Sequence, residues 1–436
     1  MSINLKKYLL NSLYVENKKK IFYIYYLYIG LIIFSSITYG YLLNSKFQIY
    51  DSNYEIILEN VSFSNGELIY NLIYNSKYSI SYYNNLDFYL AKTPAIPFFV
   101  FFLTLFSKNF FYIIILKNLI IFTIYFYFVY KILLAERVKN YFFLLILIIP
   151  IIIPYNFSVS LNFFYEDSLI AILLPLLFLT LITTYKHKYL LISGLCFILY
   201  FVKTSMFLII AVLPIIIIFF EREKILKFLP IIFSLLAILI WGFYGLAKTV
   251  RFPIFSSSSS INSHVLAFAM NKNFHKFYPN KSTDLIPISY DIPNNISNEW
   301  EFFDFYEKKN KEYLDQNLPR YLKDIIIKLK FIFFGINRDG ALPDKNGNFD
   351  NSIRFSLILS KLLFNLSILF SLLILFKNIK KIFSQKKEIF FLSLIILNLL
   401  PHIFVWATSK HLVAISNITM MYLIFCFVDD KNKINL

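Results

Sequence analysis

Apolar runs of membrane-spanning length recur along this chain, and nothing constrains its folding more. No charged residue occurs from Ile21 to Leu43, a run of 23 positions. A bilayer core of roughly 30 Å is crossed by about 20 apolar residues in a helix. Comparable runs lie near 109–134, 141–161, 168–185, 228–247, 355–376, 389–406 and 411–428. Residues 189–220 total 32 positions, about 48 Å if one helix at ~1.5 Å per residue. That exceeds one crossing. Lys203–Thr204 interrupts it, which predicts two short spans, 189–202 and 204–220, meeting at one membrane face. The expected fold class is all-α and polytopic, with about ten transmembrane helices.

Flanking charge orients these spans. Lys18, Lys19 and Lys20 place the N-terminus in the cytoplasm. Lys131, Arg137 and Lys139 mark the next cytoplasmic turn. Lys186/Lys188, Arg222/Lys224/Lys227, the 377–387 cluster and Lys431/Lys433 mark the others. Ten crossings satisfy every turn, with both termini inside. The condition is that Ala95–Ser107 does not cross; at 13 residues it reads as a re-entrant or interfacial helix. The net charge of +17 therefore belongs to lipid headgroups rather than nucleic acid. Cys196 and Cys426 both fall inside apolar runs, which excludes a disulfide framework and a cysteine metal site. The first run is too long and lacks the cleavage site of a signal peptide, so it reads as an anchor.

Three regions result. Residues 1–247 form a membrane domain whose first external loop, 44–108, carries an acidic motif. Residues 248–352 form a second external loop, and 353–436 hold the last transmembrane helices. Within the second loop, Leu322, Ile325, Ile326, Leu329 and Phe333 share one helical face, with Arg320, Asp324 and Lys328 opposite. This predicts an interfacial helix over 318–335.

Candidate chemistry gathers at external ends of spans. Asp51 stands just beyond the first span, where a carboxylate can act as general base, and Glu55 shares a helical face with it. Glu166–Asp167 open a later apolar run; helix starts favour acids, so capping and catalysis are both open readings. Lys203 interrupts an apolar stretch, where a charge costs about 2.5–3.5 kcal/mol. Lys92, Lys410, His411 and Arg251 are further cations facing the same compartment. Lys117 and Lys361 read as snorkelling cations near helix ends. His187, His264, His275, His402 and His411 offer no metal-binding spacing. Asp51 with Glu166 or Asp167 remains an oxygen ligand set suited to Mg²⁺ or Mn²⁺.

In order and spacing these segments resemble the GT-C superfamily of membrane glycosyltransferases. The nearest likeness is to the bacterial group related to protein mannosyltransferases (family 39) and to the aminoarabinose transferase of lipid A. That group carries an acidic residue after its first span, with a Tyr following; Asp51-Ser52-Asn53-Tyr54 matches. Lys92-Thr93-Pro94-Ala95-Ile96-Pro97 is similar to its Arg-Thr-Pro-Gly-Tyr-Pro segment, with Lys for Arg, Ala for Gly and Ile for Tyr. Glu166-Asp167-Ser168-Leu169 stands where the second acidic site is expected. Phe201-Val202-Lys203-Thr204 takes the place of an Arg-Pro break, and Lys410-His411 that of a terminal Arg-Tyr pair.

The resemblance implies an inverting transferase in a bacterial cytoplasmic membrane. It would move a sugar from a polyprenyl-phosphate donor to a lipid, glycan or protein acceptor. Asp51, Glu166 and Asp167 would be catalytic; Glu55, Lys92, Lys203, Lys410, His411 and Arg251 would bind substrate. Two rivals stand beside it. An O-antigen polymerase or ligase would rely on Arg and His of the large loop, and a flippase for lipid-linked sugars would show pseudo-symmetric halves.

Overall fold

The computed structural model describes residues 18–47, 65–107, 109–136, 140–152, 166–221, 225–254, 259–277, 288, 292–334, 351–377, 385–405 and 409–434. Its helices are α1 (Lys18–Phe47), α2 (Asn65–Tyr74), α3 (Ala95–Thr104), α4 (Phe110–Ala135), α5 (Asn140–Ile152), α6 (Glu166–Ile182) and α7 (Lys188–Val202). They continue with α8 (Phe207–Phe220), α9 (Leu229–Thr249), α10 (Asn262–Ala269), α11 (Glu299–Phe334), α12 (Asn351–Lys377), α13 (Lys386–Phe404) and α14 (Val413–Ile434). Every apolar run anticipated from sequence contains one of these helices.

Five helices are long and apolar enough to cross a membrane, through Lys19–Thr38, Phe111–Ala135, Leu226–Thr249, Ile358–Lys377 and Lys386–Phe404. Shorter apolar helices run alongside them, so this is a multi-pass membrane protein. Large apolar side chains such as Leu27, Phe34, Phe243 and Phe370 point outward, as in a protein whose surroundings are hydrocarbon. At the centre stands α6, buried from Glu166 through Ile172 and along nearly all its length.

Prolines inside the helices dictate cross-links. A proline lacks an N–H and leaves the carbonyl four residues back without a helical partner. In hydrocarbon that carbonyl must be satisfied from a neighbouring helix. Pro175 of α6 so frees the Ala171 carbonyl, which accepts from Asn417 Nδ2 of α14 at 2.9 Å. Pro150 of α5 frees the Ile146 carbonyl, which accepts from Tyr125 Oη of α4 at 3.0 Å. Helix ends are closed the same way. Lys361 Nζ of α12 donates to the Phe331 carbonyl at 3.3 Å and to that of Ile332, and Asn365 Nδ2 donates to Phe333 O at 2.7 Å. Lys361 is thus a cap on α11 rather than the snorkelling cation expected.

One element departs from the all-helical expectation. Ile80–Tyr83 and Leu86–Phe88 form an antiparallel hairpin, β1–β2. Its two-residue loop, Asn84–Asn85, has φ of 47° and 59°, the left-handed pair that such turns require and Asn tolerates. The two strands are short, and residues 89–94 leave them as an extended strap. Two further details place the segment after α9. Val250 ends that helix at φ 62°, and the chain folds back so closely that a Cβ on Gly242 would meet the Phe252 ring at 2.0 Å. On Gly245 it would meet Pro253 at 2.5 Å.

A kink at Asn317, beside Pro319, divides α11. Its second half exposes Leu318, Leu322 and Ile326 while burying Asp324 and Lys328. Lys328 Nζ and Tyr321 Oη both donate to the Phe404 carbonyl at the end of α13, at 3.0 and 2.7 Å.

Candidate functional site

The strap 89–94 is the scaffold of the site, and all its anchors come from elsewhere in the chain. Tyr89 N and Leu90 N donate to the two Glu299 carboxylate oxygens at 3.2 and 3.1 Å. Ser260 N donates to Leu90 O at 2.9 Å, and Ser259 Oγ to Ala91 O at 2.6 Å. Tyr78 Oη donates to Lys92 O at 2.8 Å. Thr93 Oγ1 donates to Val202 O at 2.9 Å, tying the strap to the last turn of α7. An irregular segment that pairs its polar groups this fully is held as firmly as a strand.

The next residue after Val202 is Lys203, where the helix stops. Its backbone is extended (φ −156°, ψ 136°) and a 3₁₀ turn, Thr204–Met206, leads into α8. The expected break is therefore where the sequence puts it. The Lys203 ammonium reaches the first turn of α6 and donates to Asp167 Oδ1 at 2.8 Å. On the other oxygen, His411 Nε2 lies 3.8 Å from Asp167 Oδ2. Lys92 Nζ stands 3.8 Å from Glu166 Oε1, and Asn65 Nδ2 donates to that same oxygen at 3.1 Å.

Five residues singled out from sequence thus converge: Lys92, Glu166, Asp167, Lys203 and His411. They come from the strap, α6, the α7–α8 break and the turn Ser409–Leu412, over more than 300 positions of chain. Both carboxylates are buried, at 8% and 5% exposure. Removing two charges from water this far is costly unless each is paired, and the lysines supply the pairing. The two pairs are unequal. Lys203 makes a short charged hydrogen bond from a side chain 18% exposed, whereas Lys92 is 32% exposed and 3.8 Å from its partner.

Arg251 is not part of this cluster. It bonds Asp304 at 2.7 Å and lies over the Trp300 ring at 4.6 Å, fastening α9 to α11. Lys410 adjoins His411 on the turn Ser409–Leu412. Asp51 and Glu55 lie outside the described residues.

Sequence reasoning missed three contributors. Asn65 opens α2 and is buried. Lys117 is fully buried, not snorkelling, and its ammonium donates to Ser168 Oγ at 3.4 Å from beneath the acidic pair. His402 stacks on His411 with ring centroids 4.1 Å apart and planes at 17°. Lys117, the one charge between Phe110 and Tyr130 of α4, carried a usable signal: a cation where hydrocarbon was expected. Asn65 carried none, because its partner Glu166 lies 101 positions away, and His402 none, because its ring faces His411 only through the fold between α13 and α14.

A layer from 259–277 and α11 adjoins the cluster. Thr204 Oγ1 donates to Asn262 Oδ1 at 3.4 Å, and Asn310 Nδ2 to Ser263 O at 2.8 Å. His264 joins this layer to the hairpin, its Nδ1 2.9 Å from Tyr82 Oη. Burial pushes the His264 imidazole down to about 4, so it is neutral near pH 7. Burial also raises the Glu299 carboxyl, against the donations it receives from Ser260, Leu90 and Tyr89.

Chemically the arrangement offers two carboxylates for proton acceptance or hydrogen bonding, and cations able to meet an anion. Among the described residues no three His, Cys, Asp or Glu side chains gather as metal ligands. The chain was compared with protein-family models, with curated proteins and with solved structures, and none of them matches.

Proposed function

We propose that this chain is an inverting GT-C-type glycosyltransferase of a bacterial cytoplasmic membrane, taking its sugar from a polyprenyl-phosphate donor. The observation that carries this reading is the meeting of Lys92, Glu166, Asp167, Lys203 and His411 in one buried cluster. They occupy four separate motif positions of the resemblance. The proposed topology has ten crossings and both termini in the cytoplasm. Residues 44–108 and 248–352 then lie outside, with α3 and the second half of α11 at the outer interface. An apolar stripe turned outward while Asp324 and Lys328 turn inward supports that placement of α11.

The chain's own residues supply an acceptor base and the cations that meet the leaving phosphate. The acceptor oxygen or nitrogen attacks the anomeric carbon as the bond from that carbon to the phosphate oxygen breaks. The acceptor proton passes to Asp51, and the electron pair leaves on the lipid phosphate. Growing negative charge on that phosphate is met by fixed cations in a low-dielectric site. Lys92 is the cation free to turn, being loosely paired and partly exposed. Lys203 and His411 hold Asp167, and Asn65 holds Glu166, so the acidic wall stays in place as the donor enters.

The test is transfer from a panel of radiolabelled polyprenyl-phosphate sugars by purified wild type and Asp51→Asn. The proposal expects transfer or slow carrier hydrolysis by wild type, with a loss of about 10²-fold or more in the variant. Full activity of a normally inserted Asp51→Asn protein would remove that residue from the mechanism. Carrier binding without turnover by wild type would favour a transporter.

A further inference from the structure

We propose that a groove between α1 and α4 binds an anionic phospholipid, with one acyl chain in the groove and the phosphate on lysines at its end. This inference does not rest on the enzymatic reading.

The groove is a cavity of about 380 Å³ in which Ile21, Phe22 and Tyr25 of α1 face Phe126, Tyr127 and Tyr130 of α4. That volume lies within the ~300–1,000 Å³ of small-molecule sites. Ile21 and Phe126 are buried and form its floor, while Phe22 and Tyr127 stand 60% and 51% exposed at its sides. The floor is fixed by ring packing: Tyr25 meets Phe126 edge-on at 5.1 Å, and Tyr28 lies 5.8 Å from Phe126. Further along the pair, Asn118 Nδ2 donates to Ser36 Oγ at 3.0 Å. The lining is thus aromatic and mostly carbon at its surface, with Thr123 and the hydroxyls of Tyr25, Tyr127 and Tyr130 as its polar groups. It suits a hydrocarbon chain.

Charge decides which lipid. Lys19 and Lys20 are exposed and immediately precede Ile21, one turn from Phe22 and Tyr25. Lys131 Nζ sits over the Tyr127 ring at 5.6 Å, next to the other wall. Antiparallel packing of α1 and α4 brings these lysines to one end of the groove. Neither α1 nor α4 contains an acidic residue. A groove with tyrosines along its sides and lysines at its end matches the membrane interface, where aromatic rings and cations sit at headgroup level. A zwitterionic headgroup would gain little there. A net negative one gains about 1 kcal/mol per nearby lysine, roughly fivefold in affinity each.

The experiment is native mass spectrometry of the full chain in detergent, titrated separately with phosphatidylglycerol and phosphatidylcholine of identical acyl chains. Wild type is expected to retain phosphatidylglycerol at a tenfold or greater lower concentration. The triple variant Lys19→Gln, Lys20→Gln, Lys131→Gln should bring the two lipids together, and Thr123→Phe, which fills the groove, should weaken both. The three lysines lie at the protein surface, so the triple variant decides the matter even if Thr123→Phe folds poorly. Equal retention of both lipids by wild type would overturn the proposal. So would phosphatidylglycerol binding that ignores the triple variant, or a dimer that Thr123→Phe dissociates.

Discussion

Two buried carboxylate clusters in this protein share an inventory and differ in how completely it is used. At one end of the bundle Glu221 follows α8 and is met closely on both oxygens. Lys188 meets one oxygen at 2.9 Å, and Lys386 and Tyr189 meet the other at 2.7 and 3.1 Å. At the head of α6, Glu166 and Asp167 also face two lysines, but unequally: Lys203 meets Asp167 at 2.8 Å and Asn65 meets Glu166 at 3.1 Å, whereas Lys92 and His411 each stand 3.8 Å from their carboxylates. The Glu221 cluster fixes α7, α8 and α13 to one another through short contacts to both carboxylate oxygens. In the second, Lys92 is partly exposed and 3.8 Å from its carboxylate, placed to turn toward an incoming anion. On the proposed function, the first is a clamp and the second the site.

Asp167→Asn should give the largest effect and would break the comparison if it did not. It keeps the shape and removes the charge that Lys203 and His411 share. Transfer is expected to fall by about 10²-fold or more, measured as turnover per correctly folded molecule. Lys203→Met should be the matching structural injury. Breaking a buried pair by removing one partner costs about 3–5 kcal/mol, so thermal unfolding in detergent should shift far more than for Lys92→Met, whose partner lies at 3.8 Å.

Glu221→Gln sharpens the contrast from the other side. It should lower stability by about 2 kcal/mol while leaving transfer per folded molecule unchanged. The ammonium groups of Lys386 and Lys188 outweigh burial and hold the Glu221 carboxyl below its usual range. Its stabilisation is therefore complete above the ordinary carboxylate pKa of 4.5 and is lost as pH falls through the lower folded value. Unfolding curves of Glu221→Gln and wild type should converge at acid pH.

His264 belongs to neither cluster and reports on the layer above the site. Its folded pKa is depressed from 6.5 to about 4, so the unfolded chain takes up a proton that the folded one refuses. Stability is fully present above 6.5 and falls as pH drops toward 4, by on the order of 3 kcal/mol over the whole window. Limited proteolysis of the 259–334 segment against pH should show that loss in wild type and much less of it in His264→Phe. The smallest effect expected is from Asn417→Leu, which removes the donor to the carbonyl freed by Pro175. About 1 kcal/mol of stability should go, with the charged contacts of α6 unchanged.

What the sequence revealed and what it hid divide along physical lines. Apolar runs announce helices because hydrocarbon leaves the backbone no other solution. Lys203 announced its break because a charge in an apolar stretch demands a reason. Glu166–Asp167, Lys92 and His411 were legible only through their order along the chain, and nothing local to Arg251 revealed Asp304 as its partner. The hairpin was overlooked although Asn84–Asn85 is a usable turn signal. Amphipathicity located the stripe on α11 but could not tell whether protein or membrane would cover it. Lys117 and Lys361 were read as surface cations because helix-end capping and buried pairing depend on which helix lies alongside.

The most direct measurement is transfer from a labelled polyprenyl-phosphate sugar by wild type, Asp167→Asn and Glu221→Gln in parallel, normalised to folded protein. The account predicts a product from wild type and from Glu221→Gln, and almost none from Asp167→Asn. Equal activity in all three, or losses as large in Glu221→Gln as in Asp167→Asn, would contradict the assignment of the loosely closed cluster as the site.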